Sequence, residues 1–160
     1  MIIKGLTDED FVNYKKPAMF IATSKCSFKC EKECGVTGMC QNHPLATAFE
    51  ISLPNEKIVE RFLSNDISEA IVFGGLEPFD QFDELFLLIK EFREKTNVDI
   101  VVYTGYNENE IQEQIEKLKQ FENIIIKFGR YIPNQTSHHD TVLGVNLASD
   151  NQYAKIYNEV

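Results

Sequence analysis

Apolar residues in this chain follow two alternating patterns. Short runs occur at residues 18–23 (AMFIAT), 70–73 (AIVF), 99–103 (DIVVY) and 123–128 (NIIIKF), each rich in β-branched or aromatic types, and these predict strands. Between them apolar residues recur at helical spacing: Ile58, Val59, Phe62 and Leu63 behind Pro54, then Phe82, Leu85, Phe86, Ile89 and Phe92, then Ile111, Ile115, Leu118 and Phe121 within 107–121. Gly74-Gly75, Thr104-Gly105 and Gly129 each stop a strand. Strands that read as continuous apolar runs and alternate with helices suit a mainly parallel sheet, so the fold class is α/β. Residues 134–140 read as a polar loop, and 141–148 with 152–157 as one or two further strands. No linker, repeat or low-complexity segment interrupts the pattern.

The chain has 160 residues, a length that suits a single domain. Folding at this size buries roughly 70 % of the unfolded surface, so stability does not demand disulfides or metal. Lys and Arg number 16 against 25 Asp and Glu, a formal net charge of −9. That balance disfavours nucleic acid and anionic membrane surfaces as partners. Asp8, Glu9 and Asp10 stand where a signal peptide needs an apolar core, and no apolar run approaches a membrane span. A soluble, cytoplasmic protein is the expectation.

The four cysteines, Cys26, Cys30, Cys34 and Cys40, all lie in one short stretch after the first apolar run. Clustering this tight excludes long-range disulfides and reads as a metal or redox site. Their spacings fit no common zinc pattern, which favours an iron–sulfur cluster over structural zinc, with free or disulfide-bonded thiols a third reading. Were Cys26 to Cys34 one continuous helix, its rise of about 1.5 Å per residue would set the outer thiolates roughly 12 Å apart, too far for one small cluster. The chain must therefore fold back, and Gly35 and Gly38 allow it to turn at little steric cost. Ligands of parallel α/β sheets sit beyond the carboxyl ends of the strands. The cysteine stretch, Gly74 to Pro78, Tyr103 to Tyr106 and Gly129 to Tyr131 all follow strand ends, so they should converge.

Cys26-Ser-Phe-Lys-Cys30 resembles the C-x3-C opening of the radical S-adenosylmethionine (SAM) superfamily motif, C-x3-C-x-aromatic-C. Gly74-Gly75-Leu76-Glu77-Pro78, Tyr103-Thr104-Gly105-Tyr106, Gly129-Arg130-Tyr131 and Ser149-Asp150-Asn151-Gln152 resemble, in order, the GG-x-[DE]-P, YTGY, GRF and SSNQ elements of the small anaerobic ribonucleotide reductase activating proteins. The departure is the third cysteine, since Glu33 occupies its place. Cys40, preceded by Met39 and followed by Gln41-Asn42, resembles the family's third cysteine with its C-x-N, so 31–38 reads as containing an insertion. The assignment is Cys26, Cys30 and Cys40 as ligands, with Cys34 the alternative third ligand.

The resemblance implies a partial (β/α) barrel over residues 1–160 with a [4Fe-4S] cluster whose open iron binds S-adenosyl-L-methionine. It implies reductive SAM cleavage to a 5'-deoxyadenosyl radical, used to install a glycyl radical on a larger partner enzyme, with a flavodoxin- or ferredoxin-type electron donor. Gly74 and Gly75 would expose backbone to SAM, Glu77 would support them, and Tyr103, Tyr106 and the Met39 backbone would meet adenosine. Each has a plainer reading: a tight turn for the glycines, core aromatics for the tyrosines, apolar filler for Met39. Arg130 reads equally as a surface cation or an anion's partner. His138 and His139 read as part of a solvated loop rather than as zinc ligands beside Cys34. The alternative from a different class is a non-enzymatic module in which four cysteines close a structural zinc or an electron-transfer cluster.

Overall fold

The computed structural model describes residues 1–40 and 42–159. It opens with a strand that the hydrophobic pattern does not predict, β1 (Ile2–Asp10), whose sequence IIKGLTDED sends only Ile3 fully into the core. Antiparallel pairing with β2 (Ala18–Thr23), rather than apolar content, makes it a strand. The cysteine stretch holds two short helices, α1 (Lys29–Cys34) and α2 (His43–Ala46), and β3 (Ile51–Ser52) returns to pair with β1. Helix α3 (Asn55–Leu63), strand β4 (Ala70–Gly75), helix α4 (Phe82–Arg93), strand β5 (Asp99–Tyr103), helix α5 (Gln112–Leu118) and strand β6 (Ile124–Phe128) then alternate as the periodicity predicts.

One correction falls on 107–121, expected as a single helical segment. Asn107 and Glu110 form a reciprocal capping box around a 3₁₀ turn at Glu108–Glu110, Ile111 leaves helical geometry, and α5 begins only at Gln112. A second falls on 134–140, expected as loop. Its end is β7 (His138–Asp140), which forms a hairpin with β8 (Val145–Leu147) before β9 (Tyr153–Tyr157) closes the chain's run of strands. Asp140 explains the order there: its carboxylate accepts the backbone N–H of Leu143 and of Ala154, tying the hairpin to β9. His138 is half-buried and its Nε2 donates to the Gln152 carbonyl at 2.9 Å, so it is not solvated loop.

Seven of the described strands form one mixed sheet in the order β3-β1-β2-β4-β5-β6-β9. The central β2, β4, β5 and β6 are parallel, and the flanking pairs are antiparallel. Side chains alternate between the two faces along each strand. On one face Ile71, Phe73, Ile100, Val102, Ile124 and Ile126 pack into the same core as Ile58, Phe62, Leu85, Leu88, Ile89, Phe92, Ile115 and Leu118 of α3, α4 and α5. On the other, Ala18, Ala70, Val72, Val101 and Ile125 meet Tyr14, Leu143 and Leu147. Further along the same strands Phe20, Gly74, Tyr103 and Lys127 are in phase with this second face. There they line a cavity of about 330 Å³ at the carboxyl ends of the parallel strands.

Candidate metal centre

The cysteine stretch folds back on itself above that cavity. Phe28 and Gly35 adopt left-handed backbone (φ 54° and 68°) at the two ends of α1, and Gly38 does so (φ 79°) on the return. These breaks keep α1 to six residues and bring Cys40 back beside Cys30, close enough for the two thiols to share a hydrogen bond. Cys26, Cys30 and Cys40 all line the cavity, whereas Cys34 at the end of α1 is exposed and does not. All four are free thiols. Burial pushes the Cys26 thiol up to about 12, and burial with the neighbouring Cys40 pushes Cys30 up to about 11. Metal coordination would therefore have to displace protons from both.

The loop is docked onto the segment after β4 by a series of polar contacts. Glu77 donates its backbone N–H to the Lys25 carbonyl at 2.8 Å, and Ser24 N–H reaches Gln81 at 3.0 Å. Asp80 accepts from the backbone of Ser27 at 2.6 Å and from the Tyr106 hydroxyl. Asn42 donates its side-chain amide to the Gly75 carbonyl. Its neighbour Gln41, the middle residue of the expected C-x-N, lies outside the described residues. Gly75 has φ 84°, and a Cβ there would stand 2.7 Å from Ala22 Cα on the adjacent strand, so only glycine suits this crossing.

Glu77 joins two of the sequence motifs. It is buried, and its carboxylate accepts from Phe79 N at 3.1 Å, Thr104 Oγ1 at 2.8 Å and Gly105 N at 2.8 Å, clamping the 103–106 turn to the 74–78 turn. Burial outweighs these bonds and raises its pKa to about 7. Tyr103 also lines the cavity, with its hydroxyl donating to the Asn13 carbonyl, and burial raises its pKa. Met39 is half-buried but is not among the cavity-lining residues. The SDNQ turn holds the 129–131 segment: Asn151 Nδ2 donates to the Arg130 carbonyl at 2.8 Å and Gln152 Nε2 to that of Gly129 at 3.3 Å.

Of the two readings of Arg130, the structure excludes the surface cation: the side chain lines the cavity and pairs with carboxylates. It is buried, donates both terminal nitrogens to Glu110 at 2.8 and 2.6 Å, and brings Nε within 3.1 Å of a Glu33 oxygen. Hydrogen bonds from Arg130 hold the Glu110 carboxyl at about 2. Lys29 reaches the same carboxylate at 3.2 Å, so α1 is tethered at both ends to this pair. Sequence reasoning passes over Lys127, Asp80 and Glu31. Lys127 carries a signal, a lone cation inside an apolar strand run. Burial lowers its pKa to about 8, and its Nζ donates to the Gly129 carbonyl at 2.9 Å.

Among the described residues no three His, Cys, Asp or Glu side chains are grouped to hold a single metal ion. An iron–sulfur cube makes a different demand, because its cysteines bind separate irons. Three thiols around one cavity, with the fourth outside it, are a donor set that fits such a cube. A model of the 4Fe-4S single cluster domain matches residues 17–153, from the start of β2 to the start of β9. The chain belongs to the 4Fe-4S single cluster domain family. No curated protein and no solved structure matches it. The match takes in every motif around the cavity, so this 4Fe-4S domain is built from the four parallel strands and the loops at their carboxyl ends, with β1 added outside the matched region. No described helix of the domain is long and apolar enough to cross a membrane.

Proposed function

We propose that this 4Fe-4S domain is a radical SAM protein of the partial-barrel type, in which Cys26, Cys30 and Cys40 hold the cluster and leave one iron open to S-adenosyl-L-methionine. The observation that carries the reading is the shared cavity: the three thiols, the Gly74-Gly75 strand end and Tyr103 face one space, and Cys34 stands apart from it. When bound, the cluster supplies the electron that cleaves the SAM sulfonium bond to methionine and a 5'-deoxyadenosyl radical. The chain's own residues supply position and enclosure. Gly75, with Asn42 bonded to its carbonyl, keeps side chains away from the strand end. Glu77 fixes the 103–106 turn that forms one wall, and Val145 to Ala148 of the hairpin form another. The volume of about 330 Å³ lies at the small end of the range for ligand cavities.

The target in this reading is macromolecular. Among the described residues the cysteine loop, the sheet with the turns after β4, β5 and β6, and the hairpin account for the walls, and in this reading they are already given to the cluster and SAM. The substrate is a glycyl-radical enzyme larger than this chain, and the electron donor is a flavodoxin or ferredoxin. The test is anaerobic incubation of the cluster-loaded protein with dithionite and SAM. Release of 5'-deoxyadenosine with an equal amount of methionine is expected even without the partner. A reduced cluster whose electron paramagnetic resonance spectrum ignores added SAM, with no cleavage products, would overturn the reading in favour of an electron-transfer domain.

A further inference from the structure

Residues 32–38 are all exposed, yet Glu31, which starts this stretch, is buried. A buried carboxylate needs partners. Glu31 Oε1 accepts the backbone N–H of Cys40 at 3.1 Å and faces His43 Nδ1 at 3.2 Å. It therefore bridges α1, which carries Cys30, to the returning segment that carries Cys40 and to the first residue of α2. Among the described residues the intervening turn shows no other side-chain hydrogen bond to Cys40, and its two left-handed glycines let the chain double back without directing it to one place. Cys30 and Cys40 end up adjacent although ten positions apart, and Glu31 sits beside one and grips the other.

We infer that Glu31 is a positioning residue that holds Cys40 in place beside Cys30 as the third thiolate, a side-chain tether across the exposed 32–38 turn. This rests on the proposed role of Cys40. The residue acts through Cys40 and touches no iron. Glu31→Ala removes the acceptor, whereas Glu31→Gln keeps an oxygen that can accept the same N–H bond.

Two measurements test it. In the metal-free protein, a trivalent arsenical that needs two adjacent thiols should bind Glu31→Ala several-fold more weakly than wild type and bind Glu31→Gln almost as wild type. After anaerobic reconstitution and a chelator challenge, Glu31→Ala should retain several-fold less iron and sulfide, approaching Cys40→Ala, with Glu31→Gln restoring both. Thermal unfolding of the metal-free variants should match wild type, since Glu31 lies outside the sheet core. Wild-type arsenical affinity and iron retention in Glu31→Ala would overturn the inference. Should Cys40→Ala itself keep the full cluster, the ligand assignment fails instead, and the arsenical result alone judges the tether. Should Glu31→Ala unfold, the milder Glu31→Asp, one methylene short, is expected to lose part of the arsenical affinity, and its full retention would overturn the inference equally.

Discussion

Replacing Lys127 by Met probes the electrostatics of the cavity. Lys127 is 7 % exposed, and burial lowers its pKa from 10.5 to about 8. That displacement corresponds to roughly 3 kcal/mol for keeping the ammonium charged inside the fold. The unfolded chain holds this proton up to its ordinary pKa and the folded chain only to about 8. Stability therefore rises with pH across that window; the penalty is complete below it and gone above it. The attraction of Glu77 is the smaller of the two causes and is already contained in this net displacement. Met preserves an unbranched chain but gives up the hydrogen bond to the Gly129 carbonyl, worth about 1 kcal/mol. Gln152 still donates to that oxygen. Metal-free Lys127→Met should thus exceed wild type by about 2 kcal/mol at pH 7. Well above pH 10.5, where the penalty is gone, it should fall about 1 kcal/mol below. Urea unfolding of both proteins at several pH values and constant ionic strength measures the difference. A difference that does not change with pH would refute the buried charge.

Gly75→Ala should destabilise the metal-free protein by more than about 2 kcal/mol, because the new Cβ meets strand backbone at a left-handed φ. Gly105→Ala, whose Cβ finds its nearest neighbour at 3.6 Å, should cost under about 1 kcal/mol in the same denaturation assay, and equal losses would contradict the geometry. Glu110→Gln should weaken the tether to Arg130 by about 1 kcal/mol at neutral pH, after allowance for solvent screening. Since the folded Glu110 pKa is depressed to about 2, this contribution is present above the ordinary carboxyl pKa of 4.5 and lost as pH falls toward 2. Stability curves of variant and wild type should therefore converge on acidification.

The central strands are legible in the sequence because burial on both faces leaves them continuously apolar. Ile71, Phe73, Ile100 and Ile126 face one core, while Ala70, Val72, Val101 and Ile125 face the other. β1 is not legible for the opposite reason. Its residues are mostly half-exposed, and its strand state depends on pairing with β2 and β3 rather than on its own composition. Helix α2 and strand β3 are too short to show a period. Around the cavity, the glycine and tyrosine turns are readable because φ requirements and strand ends leave local marks. Glu31 and Asp80 leave none, since exposed-looking polar residues acquire partners only when distant segments meet. Arg130 was undecidable for the same reason, its fate being set by Glu110 and Glu33 rather than by its neighbours in sequence.

The most direct measurement of the central claim is the iron and acid-labile sulfide content of anaerobically reconstituted wild type and its four Cys→Ala variants. With Cys26, Cys30 and Cys40 as the thiolates, wild type and Cys34→Ala should each carry about four irons with matching sulfide. Each of the other three variants should lose most of both. Stoichiometric zinc without sulfide in the wild-type protein, or a cluster lost with Cys34→Ala and kept with Cys40→Ala, would contradict it.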